Sequence, residues 1–189
     1  MAECLEELDR RGITYGEPRP FIVTSQDGSA KTLFTNVTLR QFSDADTAAN
    51  ATIHIFLSEY SPTYVDVEKR RARLREELHQ SGGGPLKITA LEEVIVGITD
   101  FTAAMKLWEN LLRPSRPSIP ALWPVGDGPS IRVRTRENKL QGLILSVVSL
   151  KQAKAILRER GLLGPVTTNR ITIDPFKIQG LNIQLVQSQ

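Results

Sequence analysis

Glu59 is the residue whose type and spacing most favour chemistry. Ile53, Ile55 and Leu57 precede it at every second position, so a strand here places the carboxylate on the face that those apolar side chains would bury. A carboxylate on such a face can act as a metal ligand or as a general base. Alternatively, Glu59 ends the strand where the chain has returned to solvent. Both interpretations stay open.

The histidines and the cysteine offer less. His54 lies five residues before Glu59 and therefore points to the opposite face of a regular strand, so the two do not form a good ligand pair. We interpret His54 as a structural or surface residue and His79 as solvated. Cys4 is the only cysteine, which excludes an internal disulfide, argues against a zinc site and favours a reducing, cytoplasmic compartment.

Composition limits the partners. The 189 residues are 40% hydrophobic and 24% charged, and the net charge is only +3. The basic run at residues 69–75 is interrupted by acidic residues on the same helix, which favours a solvated face over a nucleic-acid site. The longest apolar stretch, 143–150, is too short to cross a bilayer. We therefore expect a small-molecule ligand, no nucleic acid and no membrane.

Hydrophobic periodicity predicts an α+β chain divided by a glycine-rich linker at residues 81–87. The domains would be 1–80 and 88–189. The predicted helices cover residues 2–12, 66–79, 100–112 and 149–161. The predicted strands cover residues 20–24, 31–40, 52–60, 91–98, 121–123, 130–134, 143–148, 170–173 and 181–186. The segment 43–50 is predicted to be a loop.

These elements repeat. A unit of one strand, one helix and two or three strands occurs twice after the linker, and once before it without its first strand. Leu8-Asp9-Arg10-Arg11-Gly12-Ile13 and Leu157-Arg158-Glu159-Arg160-Gly161-Leu162 share a pattern at the end of the helix.

Particular segments carry a family resemblance. LEEVIVGITDF at 91–101, with Ala104 and Trp108, is similar to an opening strand and helix of the vicinal oxygen chelate superfamily, which includes glyoxalases, bleomycin-resistance proteins and extradiol dioxygenases. IDP at 173–175 and GLNIQL at 180–185 are similar to its closing strand. The resemblance implies βαβββ modules that form cupped mixed sheets, with a complete domain at about residues 88–187.

FLSEY at 56–60 is similar to a strand of the glyoxalase-like branch, so the N-terminal domain resembles the later half of such a domain, its first module incomplete. A half-domain leaves an open sheet edge and an uncovered apolar face. We expect either a homodimer or a missing N-terminal segment to cover them.

The resemblance also implies a divalent metal (Mn, Fe, Ni, Co or Zn) in the cup, held by side chains from the opening and closing strands. Glu93 corresponds to the opening-strand ligand and Gln184 to the closing-strand glutamate. Gly142 and Arg132 stand where the other two ligands would be, which weakens metal binding. The candidate metal ligands are thus Glu59, Glu93 and Gln184, and Glu59 is also the candidate catalytic residue.

Three functions follow as expectations. The first is a glyoxalase-like enzyme that acts on a small oxygenated metabolite, as a metal-dependent lyase, isomerase or dioxygenase. The second is a metal-free module that binds or sequesters a small molecule, as in the bleomycin-resistance branch. The third is a non-catalytic structural domain.

Overall fold

A computed structural model describes residues 1–42, 55–117, 121–137 and 139–188. The chain forms two compact units, Met1–Arg75 and Glu76–Gln189. The loop predicted at 43–50 and His54 lie outside the described residues. No helix in the described ranges is long and apolar enough to span a membrane.

The first unit contains one helix and a three-stranded antiparallel sheet. Helix α1 (Ala2–Arg10) is followed by β1 (Arg19–Thr24), β2 (Ala30–Thr38) and β3 (Phe56–Tyr60), in the spatial order β1-β2-β3. Leu8, Ile13, Val37 and Leu39 are its buried apolar residues. Gly28 has φ +81°, the left-handed backbone that the tight turn between β1 and β2 needs.

One face of this sheet carries exposed aromatic rings. Phe34 stacks on Phe21 at 4.8 Å between ring centroids and lies 5.7 Å from Tyr60. Phe21 and Ile22 are 49% and 54% exposed, so the described part of the unit does not cover this face.

Helix α2 (Val67–Gln80) contains the division between the units, and Asp66 accepts a hydrogen bond from the Lys69 amide at its start. The helix carries large apolar side chains at Val67, Leu74 and Leu78. None of the residues of this helix is buried, however, and Leu74 is 49% exposed. These side chains contribute to no core in the described structure.

The second unit contains two copies of the predicted repeat. The first is β4 (Ile88–Ile98), α3 (Phe101–Leu112), β5 (Leu122–Trp123) and β6 (Ser130–Thr135). The second is β7 (Lys139–Val147), α4 (Leu150–Glu159), β8 (Leu163–Val166), β9 (Ile171–Ile173) and β10 (Ile183–Gln187). Strand β8 was not predicted, because Gly164 and Pro165 interrupt its pattern.

The repeats join through their opening strands. The sheet has the order β5-β6-β4-β7-β10-β9-β8, and β4 runs antiparallel to β7 at its centre. In each repeat the opening strand pairs in parallel with the last strand, β4 with β6 and β7 with β10. Such parallel pairing needs a crossover connection, which α3 and α4 supply.

Helices α3 and α4 begin at side-chain caps, at the two positions where the sequence predicts these helices to start. Asp100 accepts a hydrogen bond from the Ala103 amide (3.0 Å) and Ser149 accepts one from the Gln152 amide (3.3 Å). Helix α4 packs on one face of the sheet, where Val147, Leu157 and Leu185 are almost fully buried. The side chains that alternate with them in β7 and β10 therefore point to the opposite, open face.

Candidate functional site

A row of side chains crosses the open face of the second unit. Glu93 of β4 and Gln184 of β10 both pair with Ile144 of β7, so the three residues lie side by side on adjacent strands. Paired residues of neighbouring strands point to the same face, and two strand spacings separate Glu93 from Gln184 by roughly 10 Å. The structure thus brings two of the three candidate ligands onto one surface.

Glu93 forms a bidentate ion pair with Arg132 of β6. Arg132 Nε donates to Glu93 Oε1 (2.5 Å) and Nη2 donates to Oε2 (2.8 Å). Only 10% of the glutamate side chain and 20% of the arginine side chain are exposed. The hydrogen bonds to Glu93 raise the pKa of Arg132 above its ordinary value. Both carboxylate oxygens are therefore occupied by a fixed internal cation.

Gln184 is held by a second arginine. Arg170, which precedes β9, donates from Nη1 to Gln184 Oε1 (2.7 Å), and Gln184 Nε2 donates more weakly to Asn182 Oδ1 (3.4 Å). No carboxylate within the described ranges forms an ion pair with Arg170. Sequence analysis missed this residue, because only the pairing of Thr172 with Gln184 shows that Arg170 shares their face.

A groove of about 510 Å³ opens on this face. Its polar lining includes the hydroxyl groups of Thr89, Ser130, Ser146 and Ser188 and the charged groups of Glu92, Glu93 and Arg170. Its apolar lining is formed by Ala90, Ile144 and Val186. The volume lies within the range of sites for small molecules, and the lining is more polar than in most of them.

Three hydroxyl groups of the groove are already hydrogen-bonded, and one of them, that of Ser188, donates to the Val147 carbonyl oxygen (3.2 Å). Ser146, only 1% exposed, lies with its Oγ 2.7 Å from Thr89 Oγ1, joining β7 to β4. Ser130 sits directly opposite Glu93 on the neighbouring strand. Hydroxyl, carboxylate and guanidinium groups thus face one small volume.

As placed, these residues do not fit a divalent metal. The Arg132 guanidinium would repel a cation at Glu93, and Gln184 offers an uncharged oxygen already bonded to Arg170. A side chain at Gly142 would bring its Cβ within 2.5 Å of the Asn182 carbonyl oxygen, so that position cannot supply a ligand without a backbone shift. Within the described residues no three His, Cys, Asp or Glu side chains are grouped as a metal site.

Glu59 belongs to the first unit. It pairs with Thr35 and shares the face of Leu57, whereas Tyr60 lies on the aromatic face. Its carboxylate forms an ion pair with the Met1 amino group, and 54% of its side chain is exposed. This position agrees with a strand-end glutamate, and its role as ligand or base stays a prediction.

Comparison with known proteins complements this geometry. No protein-family model and no curated protein matches the sequence. A hypothetical protein from Staphylococcus aureus matches over 100% of this chain and 62% of its own length, with a TM-score of 0.54 and 9% sequence identity. The chain shares the fold of this protein. The predicted α+β class with cupped sheets of glyoxalase-like form is confirmed.

Two methylmalonyl-CoA epimerases also match parts of the chain. The enzyme from Mycobacterium tuberculosis has a TM-score of 0.44 and 19% identity, over 56% of this chain and 91% of the enzyme. An enzyme from Streptomyces coelicolor, in complex with 2-nitronate-propionyl-CoA, has a TM-score of 0.38 and 12% identity, over 53% of this chain and 98% of the enzyme. The activity of this chain has to be argued from its own site.

Proposed function

We propose that the second unit is a metal-independent module that binds a small oxygenated metabolite in the groove of its open sheet face. The proposal is the metal-free alternative drawn from the sequence. It is supported by the size of the groove, about 510 Å³, and by hydroxyl and charged groups that converge between apolar walls.

The single observation that carries the proposal is the Glu93–Arg132 ion pair. A carboxylate at this position would need an oxygen that is free of a cation to hold a metal. Here two short hydrogen bonds from Arg132 engage both oxygens, neutralise the charge and fix its orientation. We therefore propose that the ligand is recognised by protein groups alone.

The alternative hypothesis, a metal-dependent lyase, isomerase or dioxygenase, requires Glu93 and Gln184 to be free to bind the metal. Glu93 would have to leave Arg132, and Gln184 would have to leave Arg170. Each departure breaks a charge-assisted hydrogen bond. The non-catalytic structural domain, in turn, requires no ligand in the groove at all. Both remain hypotheses that the experiments below separate from ours.

We also propose that the aromatic face of the first unit is covered by a second copy of this chain. Large exposed apolar patches commonly mark protein interfaces. Phe21 and Ile22 are about half exposed here and lie on the edge strand β1, which has no partner on its outer side in the described sheet.

The test of the binding proposal is a screen of small hydroxy acids, sugars and polyols by two-dimensional amide NMR, with and without a chelator. We expect shifts of groove amides such as Ser146 that the chelator leaves unchanged. Ser130→Phe should block the groove and weaken binding, whereas Thr135→Phe, at the far end of the same strand, should not. Binding that requires added metal, or shifts only outside the groove, would overturn the proposal.

A further inference from the structure

We infer that the ligand of this groove carries a single carboxylate, which the guanidinium of Arg170 binds. The inference rests on the proposed function, because it names the chemical class of the ligand for the same groove. It comes from a contrast between the two arginines that share the open face.

Arg132 and Arg170 differ in how their charge is satisfied. Arg132 is held by the two oxygens of Glu93, at 2.5 and 2.8 Å. The Arg170 side chain donates one hydrogen bond, to the neutral amide oxygen of Gln184. Within the part of the chain that the structure describes, it forms no ion pair with a carboxylate. Arg170 also lines the groove, whereas the Arg132 charge is neutralised beside it. One half-buried cation in the groove therefore lacks an anion.

A guanidinium has five N–H donors in a planar fork that matches a carboxylate. Charge-assisted hydrogen bonds of this kind are roughly twice as strong as neutral ones. A ligand carboxylate at Arg170 would thus replace or supplement a weaker bond to Gln184 with two stronger ones. The Gln184 amide holds Arg170 in place without neutralising it.

Glu92 limits the number of negative charges that the ligand can carry in the groove. The pairing of β4 with β7 shifts register between Leu91 and Glu93, and Glu92 as well as Glu93 lines the groove. The carboxylate of Glu92 is exposed and would repel a second anionic group of the ligand. A neutral oxygen of the ligand would instead face the hydroxyl group of Ser130. A small hydroxylated monocarboxylate satisfies these groups best.

The experiment compares L-lactate with lactamide, which has the same shape without the charge, and with tartronate (hydroxymalonate), in which a second carboxylate replaces the methyl group. Binding to the chain of residues 1–189 is followed by amide NMR titration. We expect lactate to bind about tenfold or more tightly than lactamide and more tightly than tartronate. Arg170→Gln should remove this preference, and Arg170→Lys should keep part of it.

Two further variants keep the test decisive. Arg158→Gln removes the same charge from an exposed position of helix α4, outside the groove, and should leave lactate binding unchanged. Gln184→Leu removes the competing acceptor and should preserve or increase lactate affinity, even if Arg170→Gln fails to fold. Equal binding of lactate and lactamide in the groove, or lactate binding that survives Arg170→Gln, would overturn the inference alone. Absence of groove binding by every probe and screened compound would overturn the proposed function with it.

Discussion

Glu93 and Gln184 lie on either side of Ile144 in one row across three strands, and each accepts hydrogen bonds from a different arginine. The row contains two of the three predicted metal ligands, Glu93 and Gln184, but both are bonded to arginines. At Glu93 the cation is supplied by the protein itself. At Gln184 the arginine keeps its charge and faces the groove.

The Glu93–Arg132 pair should be costly to break on one side only. Arg132→Met leaves a carboxylate that is only 10% exposed without a partner, and we expect a loss of about 2 to 4 kcal/mol in the free energy of unfolding. The double variant Arg132→Met with Glu93→Leu should recover most of this loss, because no charge is then left buried. Urea unfolding measures both. A double variant no more stable than the single one would contradict this account.

Metal content separates the two site hypotheses. Elemental analysis after loading with Mn, Fe, Ni, Co or Zn should show far less than one bound metal per chain, because Arg132 neutralises Glu93. Glu59→Ala and Glu93→Gln should not change the result, and Glu137→Ala serves as a control at an exposed carboxylate. Near-stoichiometric metal that falls in the Glu59 or Glu93 variant would instead establish the metal-dependent enzyme.

Gly142 should tolerate no side chain. A Cβ atom added at this position would lie 2.5 Å from the Asn182 carbonyl oxygen. This oxygen accepts a hydrogen bond from the Leu143 amide and so joins the start of β10 to β7. We expect Gly142→Ala to lower the free energy of unfolding by about 1 to 3 kcal/mol. Gly16→Ala is the matched control, since its nearest neighbour would be 3.8 Å away. Equal effects of the two substitutions in thermal unfolding would show that close approach is not the cause.

The aromatic face should set the oligomeric state. Sedimentation of the full chain should give about twice the chain mass of 21.0 kDa. Phe21→Lys places a charge on this face and should shift the protein toward the monomer. Phe176→Lys, at a 96% exposed residue of the second unit, should leave the mass unchanged. If the wild-type chain is a monomer, or if the dimer has the same mass with Phe21→Lys, the proposal that a second copy covers this face is wrong.

Local sequence patterns determined most of the secondary structure and the repeat. The apolar run at 143–148, the residues Asp100 and Ser149 at the starts of two predicted helices and the resemblance at 91–101 were enough to predict two linked strand-helix-strand units. These features act over a few residues, so their physical cause is readable along the chain. Glu93 and Gln184 could be selected as a pair only through the family resemblance.

Tertiary structure alone decided the chemistry of the row. The partners of Glu93 and Gln184 are 39 and 14 residues away in the chain, and strand register brings Arg132 and Arg170 to them. A one-residue slip in register would send either arginine to the helix-covered face. The sequence by itself thus determined the order of the elements and, through the resemblance, named Glu93 and Gln184 as candidates. Pairing between distant strands determined that Arg132 neutralises Glu93 and that Arg170 contacts Gln184.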